Sequence, residues 1–311
     1  MSKRWSITIL LTIVMAISVF ISACGSTTTP PTGGNGGTTP TTQGSQGNSA
    51  CVSGSITAAG STALQPFVQK VAEKYQAKCP GAKITVQPGG SKTGLNSVEN
   101  GTVQIGNSDI PALATQTDLV DHQVAVVIFV VIINPDVKGV TDLKTSDILG
   151  IYTGKVTNWK QVGGPDLPIT VVSRPTTSGT RSTFKKYMLG GANETPAQAK
   201  NLTVESTGTV VQTVQQTSGS IGYVTLGGAD AAGSAIVAAK IDGQDPTVAN
   251  CATNAYKFWN IEHMYTKGAA SGLAQAFLDY MTSSDASTVA EGLKFAKISD
   301  IPQSIRDTHS K

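Results

Sequence analysis

Residues 124–133 read VAVVIFVVII, an unbroken apolar run in which every residue but Ala125 and Phe129 is β-branched. A helix needs about 20 apolar residues to cross a bilayer, so the run is too short for a membrane span. β-Branching stiffens χ1 and suits a pleated surface better than a helix. An unbroken run, as opposed to an alternating one, predicts a strand covered on both faces, which is the situation inside an α/β sheet. A second long strand-like run, YKFWNIEHMYT, lies at 256–266. Two long strands flanking a middle unit predict two α/β lobes joined by a double crossover.

Working outward, Ser55–Ala59 reads as a short strand that turns at Gly60-Ser61-Thr62 into a helix. That helix carries Leu64, Phe67, Val68, Val71 and Tyr75 on one face, the spacing of a core-facing stripe. Lys83–Gln87 is a second strand, followed by PGGSKTG and a short polar helix. Val103–Gly106 is a third, followed by Asn107-Ser108-Asp109. Strand, small residues and helix in repetition predict a parallel sheet. Beyond the apolar run, Pro168–Ser173 and Ile221–Val224 read as strands, Thr180–Leu189 and Ser271–Met281 as helices. The expected division is one lobe from 51–130 with 257–311 and another from 131–256. Ligands of such sheets bind at the carboxyl ends of the strands.

The 311-residue chain is lightly charged, 14% by count, with a formal charge of +3. Lys3-Arg4, an apolar run from Trp5 to Phe20 and Ile21-Ser22-Ala23-Cys24 have the order of a secretory signal over residues 1–23. Removing it takes two of the 23 bases and none of the 20 acids. The mature chain therefore carries one net positive charge, and nothing global favours nucleic acid. Residues 25–50, GSTTTPPTGGNGGTTPTTQGSQGNSA, are too polar to bury a core and read as a tether. As a coil it would span about 25–30 Å. Outside the cytoplasm a disulfide is expected among Cys51, Cys79 and Cys251. Cys51 opens the first strand and Cys79 closes the returning first helix, so 51–79 is favoured over either pairing with Cys251.

Two stretches at strand-to-helix turns look alike: Gly60-Ser61-Thr62-Ala63 and Ser178-Gly179-Thr180. A helix start offers free N–H groups and the positive end of the helix dipole. Arg174, four residues before Ser178, adds a planar set of donors matched to a tetrahedral oxyanion. Gly89-Gly90-Ser91 allows close backbone approach and supplies another hydroxyl. Asp109 stands apart, because a carboxylate repels a bound anion unless that anion has a proton to donate.

Taken together, AAGSTALQPFVQKVAEKY, VQPGGSKTG, IGNSDIPA, INPDVKGVTDL, ILGIYTGKVTNW, SRPTTSGTRSTF and GSIGYVTL resemble the phosphate-binding lipoproteins of bacterial phosphate ABC importers, over about Ser53 to Pro302. The resemblance implies a type II periplasmic-binding-protein fold with phosphate held between lobes. By position it implies contacts from Thr62, the Ala63 backbone, Ser91 and Asp109 on one lobe, and from Arg174, Ser178, Gly179 and Thr180 on the other. Ile-Ser-Ala-Cys resembles the lipobox, which implies acylation of Cys24 and a tether over 24–50. It also implies an extracytoplasmic, lipid-anchored monomer that delivers phosphate to permease and ATPase subunits, without cofactor or metal. Hydrogen phosphate has the proton that Asp109 requires; ionised sulfate does not. Two departures stand out. Many relatives carry an acid two or three residues after the arginine, where this chain has Pro175-Thr176-Thr177, and Lys92 stands at a position usually held by a small residue.

An enzyme is the competing class. Ser182-Thr-Phe-Lys185 and Lys92-Thr93-Gly94 match the S-x-x-K and K-T-G patterns of serine acylases, but in the wrong order and with no S-D-N between them. His122, His263 and His309 lack metal-ligand spacing and are expected at the surface. A sensor or adhesin on the same fold, or a receptor for another tetrahedral oxyanion, remains the alternative to transport.

Overall fold

The computed structural model describes residues 51–195 and 202–309; the expected signal segment, Cys24 and the tether lie outside them. The chain enters on β1 (Gly54–Gly60), turns into α1 (Gln65–Lys78), and repeats the step with β2 (Ala82–Pro88) and α2 (Ser91–Glu99) before β3 (Ile105–Ser108). The long β4 (Leu119–Ile133) leads to β5 (Asp142–Leu143), α3 (Thr145–Tyr152), β6 (Thr170–Ser173), α4 (Gly179–Tyr187), β7 (Leu202–Thr203) and α5 (Thr207–Gln216). Next come β8 (Ser220–Thr225), α6 (Leu226–Ala232), β9 (Val237–Ile241) and α7 (Val248–Ala252). The second long strand, β10 (Trp259–Lys267), is followed by α8 (Gly272–Met281), α9 (Ser284–Gly292) and α10 (Gln303–His309).

The sheet order is β2-β1-β3-β10-β4-β8-β6-β7. β1 pairs in parallel with β2 and β3, while β10 lies antiparallel between β3 and β4. β4 changes partners along its length. Leu119–Ile128 pair with β10, and Phe129–Ile133 pair with β8, of which Val131–Ile133 also pair with β9. Every residue from Ala125 to Ile133 is buried, as the unbroken apolar run requires. β4 thus carries the chain from one half of the sheet to the other.

Helices cover the sheet because their apolar stripes have nowhere else to go. α1 buries Phe67, Val68, Val71, Ala72 and Tyr75, and the Tyr75 ring meets Phe277 of α8 edge-on at 6.1 Å. Farther along the chain, Phe184 of α4 stacks on Tyr223 of β8 at 4.1 Å. It also meets Phe258, which in turn meets Phe129 of β4 at 5.2 Å. This aromatic series fixes α4 against the crossing strands.

The structure moves some expected boundaries. The third strand begins at Ile105, two residues after Val103, and β6 begins at Thr170. Pro168 has no N–H for the ladder, and Ile169 donates instead to the Thr157 carbonyl at 2.9 Å. α5 was not expected, since its sequence, TGTVVQTVQQ, is rich in β-branched residues that are weak helix formers. Packing of Val210 and Val214 and the Ser206 cap on the Thr209 N–H, at 3.1 Å, hold it.

The surface placement expected for the histidines is corrected. His263 and His309 are buried. His263 Nδ1 lies 2.8 Å from Asp121 Oδ1. The His309 ring stacks on Trp259 at 3.6 Å, and burial pulls its pKa down to about 4. Both belong to the packing around β10, where neighbouring rings replace water.

Cys51 and Cys79 form a disulfide across 28 residues of chain, and Cys251 is free and buried. The bridge ties the residue that leads into β1 to the end of α1. A loop of that length contributes about 3 kcal/mol by restricting the unfolded chain. Replacing both cysteines, Cys51→Ala with Cys79→Ala, is expected to lower the unfolding free energy by about that amount, measured by urea unfolding, with a steeper slope because the unlinked unfolded chain exposes more surface.

Candidate anion-binding site

Parallel strands end at the same edge of a sheet, so whatever follows them is gathered there. β1 ends at Gly60, β2 at Pro88, β3 at Ser108 and β6 at Ser173. The next residues in the chain are Ser61-Thr62-Ala63, Gly89-Gly90-Ser91, Asp109 and Arg174. α4 then starts at Gly179 with Ser178 as its cap, the Ser178 hydroxyl accepting from the Arg181 N–H at 3.2 Å.

Asp109 is the centre of the cluster, with 1% of its surface exposed. Ser61 Oγ donates to its Oδ1, and Thr180 Oγ1 donates to its Oδ2 at 2.9 Å. Its own N–H donates to Ser91 Oγ at 3.0 Å, and its carbonyl accepts from Asn260 Nδ2 at 2.7 Å. Burial pushes the carboxyl above its usual range, while the Ser61 and Thr180 hydroxyls and the Arg174 charge pull it back. Hydroxyls that donate to a carboxylate favour its charged form.

Arg174 is equally buried, and its donors are spread over four acceptors. Nη2 bonds Thr62 Oγ1 at 3.0 Å and the Glu205 carbonyl at 2.9 Å; Nε bonds the Val204 carbonyl at 3.1 Å; Nη1 reaches Thr207 Oγ1 at 3.5 Å. Burial pulls the guanidinium below its usual range, opposed by Asp109 and Glu205. Among the described residues no carboxylate forms an ion pair with Arg174, in keeping with the missing acid at 175–177. A buried acid does stand behind it. Glu194 pairs with Arg181 at 3.4 Å and accepts from Tyr223 Oη at 2.9 Å, and Arg181 Nη1 donates to the Arg174 carbonyl at 2.5 Å.

The two halves of the sheet meet in this cluster. Lys92 N–H donates to the Thr177 carbonyl at 3.1 Å. Gly90, at φ 85°, lies so close to that carbonyl that a Cβ would sit 2.8 Å from it. The Lys92 side chain is exposed. Lys185, the lysine of the S-x-x-K match, is also exposed and bonds Asn193 Oδ1 at 2.8 Å. All eight residues expected at the site, Thr62, Ala63, Ser91, Asp109, Arg174, Ser178, Gly179 and Thr180, lie at this junction and are buried. Ala63 differs in detail: its N–H donates to Ser61 Oγ at 3.0 Å, as does that of Leu64.

Three participants escaped the sequence reading, and Ser61, though within the Gly60-Ser61-Thr62-Ala63 stretch, was not among the expected contacts. Ser61 holds Asp109, Asn260 holds its carbonyl, Thr207 shares Thr62 with Arg174, and Glu262 acts electrostatically on Asp109. Thr207 had a local signal, because Ser206-Thr207-Gly208 repeats the small hydroxyl start of the other two helices. Asn260 and Glu262 had none, being embedded in a strand that reads as core.

A sequence model of the PBP superfamily domain matches residues 45–285. The phosphate-binding protein PstS of Bacillus subtilis is 46% identical over 237 residues, covering 75% of this chain and 77% of that one. A candidate phosphate ABC transporter substrate-binding protein of Clostridium perfringens, solved with bound phosphate, superposes with a TM-score of 0.73 at 27% identity, over 79% of this chain and all of that one. An ABC-type phosphate transport receptor of Vibrio cholerae superposes with a TM-score of 0.63 at 26% identity, over 78% of this chain and 99% of that one.

Gly179 offers a test of the junction. A Cβ there would lie 2.2 Å from Ser91 Oγ and 3.0 Å from Asp109 Cβ, so Gly179→Ala is expected to hold the two halves of the sheet apart. Small-angle scattering should report a larger radius of gyration for the variant, with its far-ultraviolet dichroism unchanged.

Proposed function

Because the chain belongs to the PBP superfamily, and within it to the family of the Bacillus subtilis phosphate-binding protein, we propose that it captures inorganic phosphate at the Asp109–Arg174 junction and delivers it to the permease of an ABC importer. The fold is the type II periplasmic-binding-protein fold. The cleft lies between a lobe of residues 51–130 with 257–311 and a lobe of residues 131–256.

The observation that carries this reading is a buried carboxylate set among hydroxyl donors, helix starts and an arginine. Arg174, the hydroxyls of Thr62, Ser91 and Ser178, and the N–H groups of Ala63, Gly179 and Thr180 serve the phosphate oxygens that accept. Arg174 donates to Thr62 Oγ1 and the Ala63 N–H to Ser61 Oγ in the structure, so each exchanges a protein acceptor for a phosphate oxygen at little net cost. Asp109 accepts from the protonated oxygen. Sulfate at neutral pH brings a bare oxygen to the same place, where it faces like charge with no hydrogen between. A site built around a substrate OH discriminates by up to about 10⁴–10⁵-fold. Binding by donors from both lobes favours the closed form over the open one.

The relatives are binding proteins of transport systems, and this chain acts as one of them, holding phosphate without turning it over. It works outside the cytoplasm as a monomer, and lipid on Cys24 keeps it at the membrane through the 25–50 tether.

Calorimetric titration with phosphate and then sulfate tests the binding reading; absence of phosphate binding overturns it. Asp109→Asn replaces an acceptor oxygen by a donor NH₂ that can face either anion. The variant should retain much of its phosphate affinity and gain measurable sulfate binding, and an unchanged ratio removes Asp109 from selectivity. Cys24→Ala should move the protein from the membrane to the soluble fraction; retention at the membrane after signal cleavage defeats the lipid anchor.

A further inference from the structure

Glu262 lies in the interior of β10, wholly buried; among the described residues no N–H or hydroxyl donates to its carboxyl oxygens, and the group within hydrogen-bonding reach of them is the Asp109 carboxyl. β10 pairs with β3 as Met264↔Asn107 and His263↔Ser108; Glu262 and Asp109 are the residues just past the end of this ladder, and their carboxyls act on each other. Side chains two residues apart share a strand face. Asn260, two residues before Glu262, bonds the Asp109 carbonyl at 2.7 Å. The face of β10 that carries Glu262 is therefore the face that meets the anion site.

Among the described residues no cation forms an ion pair with it. Asp109 is the ionisable group that acts on it, and Asn107 of β3 has an amide that is buried and likewise unbonded. On α1, Lys70, Glu73, Lys74 and Lys78 are exposed; on α4, Lys185 and Lys186 are exposed and Arg181 pairs with Glu194. In α9, Asp285 pairs with Lys78, and Glu291 pairs with Lys297. On β4, Asp121 bonds His263, and His122 bonds Thr266 Oγ1 at 3.1 Å. Lys92 of α2 is exposed, and Glu99 accepts from Gln116 Nε2 at 2.8 Å. Arg174 has its donors committed to Thr62, Thr207 and two carbonyls.

We propose that Glu262 is a further specificity-determining residue of the phosphate site, a neutral acid whose proton, held beside Asp109, keeps Asp109 an ionised acceptor. This rests on the phosphate-receptor reading. A lone buried carboxylate takes up a proton instead of bearing an unpaired charge, and burial followed by the Asp109 charge pushes Glu262 well above the carboxylate range. Protonated, it is a donor. A carboxylate offers about four acceptor positions; Ser61 and Thr180 each take one, on different oxygens. A donor from Glu262 takes a third and leaves one for the proton of phosphate. Without that donor Asp109 takes up a proton more readily, becomes a donor itself, and donates to the bare oxygen of sulfate.

Two variants separate the elements of this proposal. Glu262→Gln retains a donor and does not titrate; Glu262→Met removes the donor at similar volume. In calorimetry with inorganic phosphate and sulfate, Glu262→Gln should retain the wild-type affinity ratio, and Glu262→Met should lower it by at least about tenfold, most strongly at acidic pH. Thermal unfolding without ligand tests the proton by itself. A folded-state pKa raised above the unfolded value means that wild-type stability is greatest below the ordinary carboxyl range and is lost as pH rises toward the folded value. Tm should therefore fall relative to Glu262→Gln as pH rises above the ordinary carboxyl range. A Glu262→Gln protein that folds but loses phosphate binding, a Glu262→Met protein with the wild-type ratio, or parallel Tm profiles would each overturn the proposal. Failure of the wild type to bind phosphate removes the receptor reading instead, and the Tm comparison still decides whether Glu262 holds a proton.

Discussion

A carboxylate removed from water must be given donors, and the burial of Asp109 imposes that constraint on the whole molecule. The donors come from distant parts of the chain. Ser61 follows β1, Thr180 lies in the first turn of α4, and Asn260 and Ser91 hold the Asp109 backbone from β10 and the start of α2. No single strand-turn-helix unit could supply them, since each unit presents only one or two small polar residues at its turn. The sheet therefore has to bring several turns to one edge, and parallel strands are the arrangement that does so.

The crossing strands do the rest. β4 pairs with β10 along its first part and with β8 along its second, so the two halves of the sheet share a continuous backbone connection. Hydrogen bonds such as Thr180 to Asp109 and Arg174 to Thr62 join the halves at the site. Polar bonds of this kind exchange with water or with an oxyanion at small net free energy, whereas the apolar packing inside each half does not. A receptor needs that division, with firm halves and a junction whose bonds can be exchanged.

Much of this was readable in the residues because it is local. An unbroken β-branched run declares a doubly covered strand. A hydroxyl and a glycine at a strand-to-helix turn declare a helix start with free donors. Arg174 and Asp109 could be placed because each directly follows a strand. α5 was not readable, since its Thr and Val content points away from a helix and only packing against the sheet sustains it. The histidines were misread for a related reason: burial of His309 depends on Trp259 and Tyr187, which stack on it from elsewhere in the chain, and burial of His263 on the place of β10 between β3 and β4.

By itself, the order of residues determined the alternation of strands and helices, the position of the long buried strand and the polar turns that carry the site, because each follows from periodicity and side-chain chemistry within a few residues. Only the tertiary structure decided which turns face one another, that Arg174 leans on Thr62 and two carbonyls instead of an acid, and that Glu262 stands beside Asp109. Those relations depend on strand order and register. Residues 109 and 262 are neighbours only because β10 returns antiparallel beside β3, and no local pattern encodes that return.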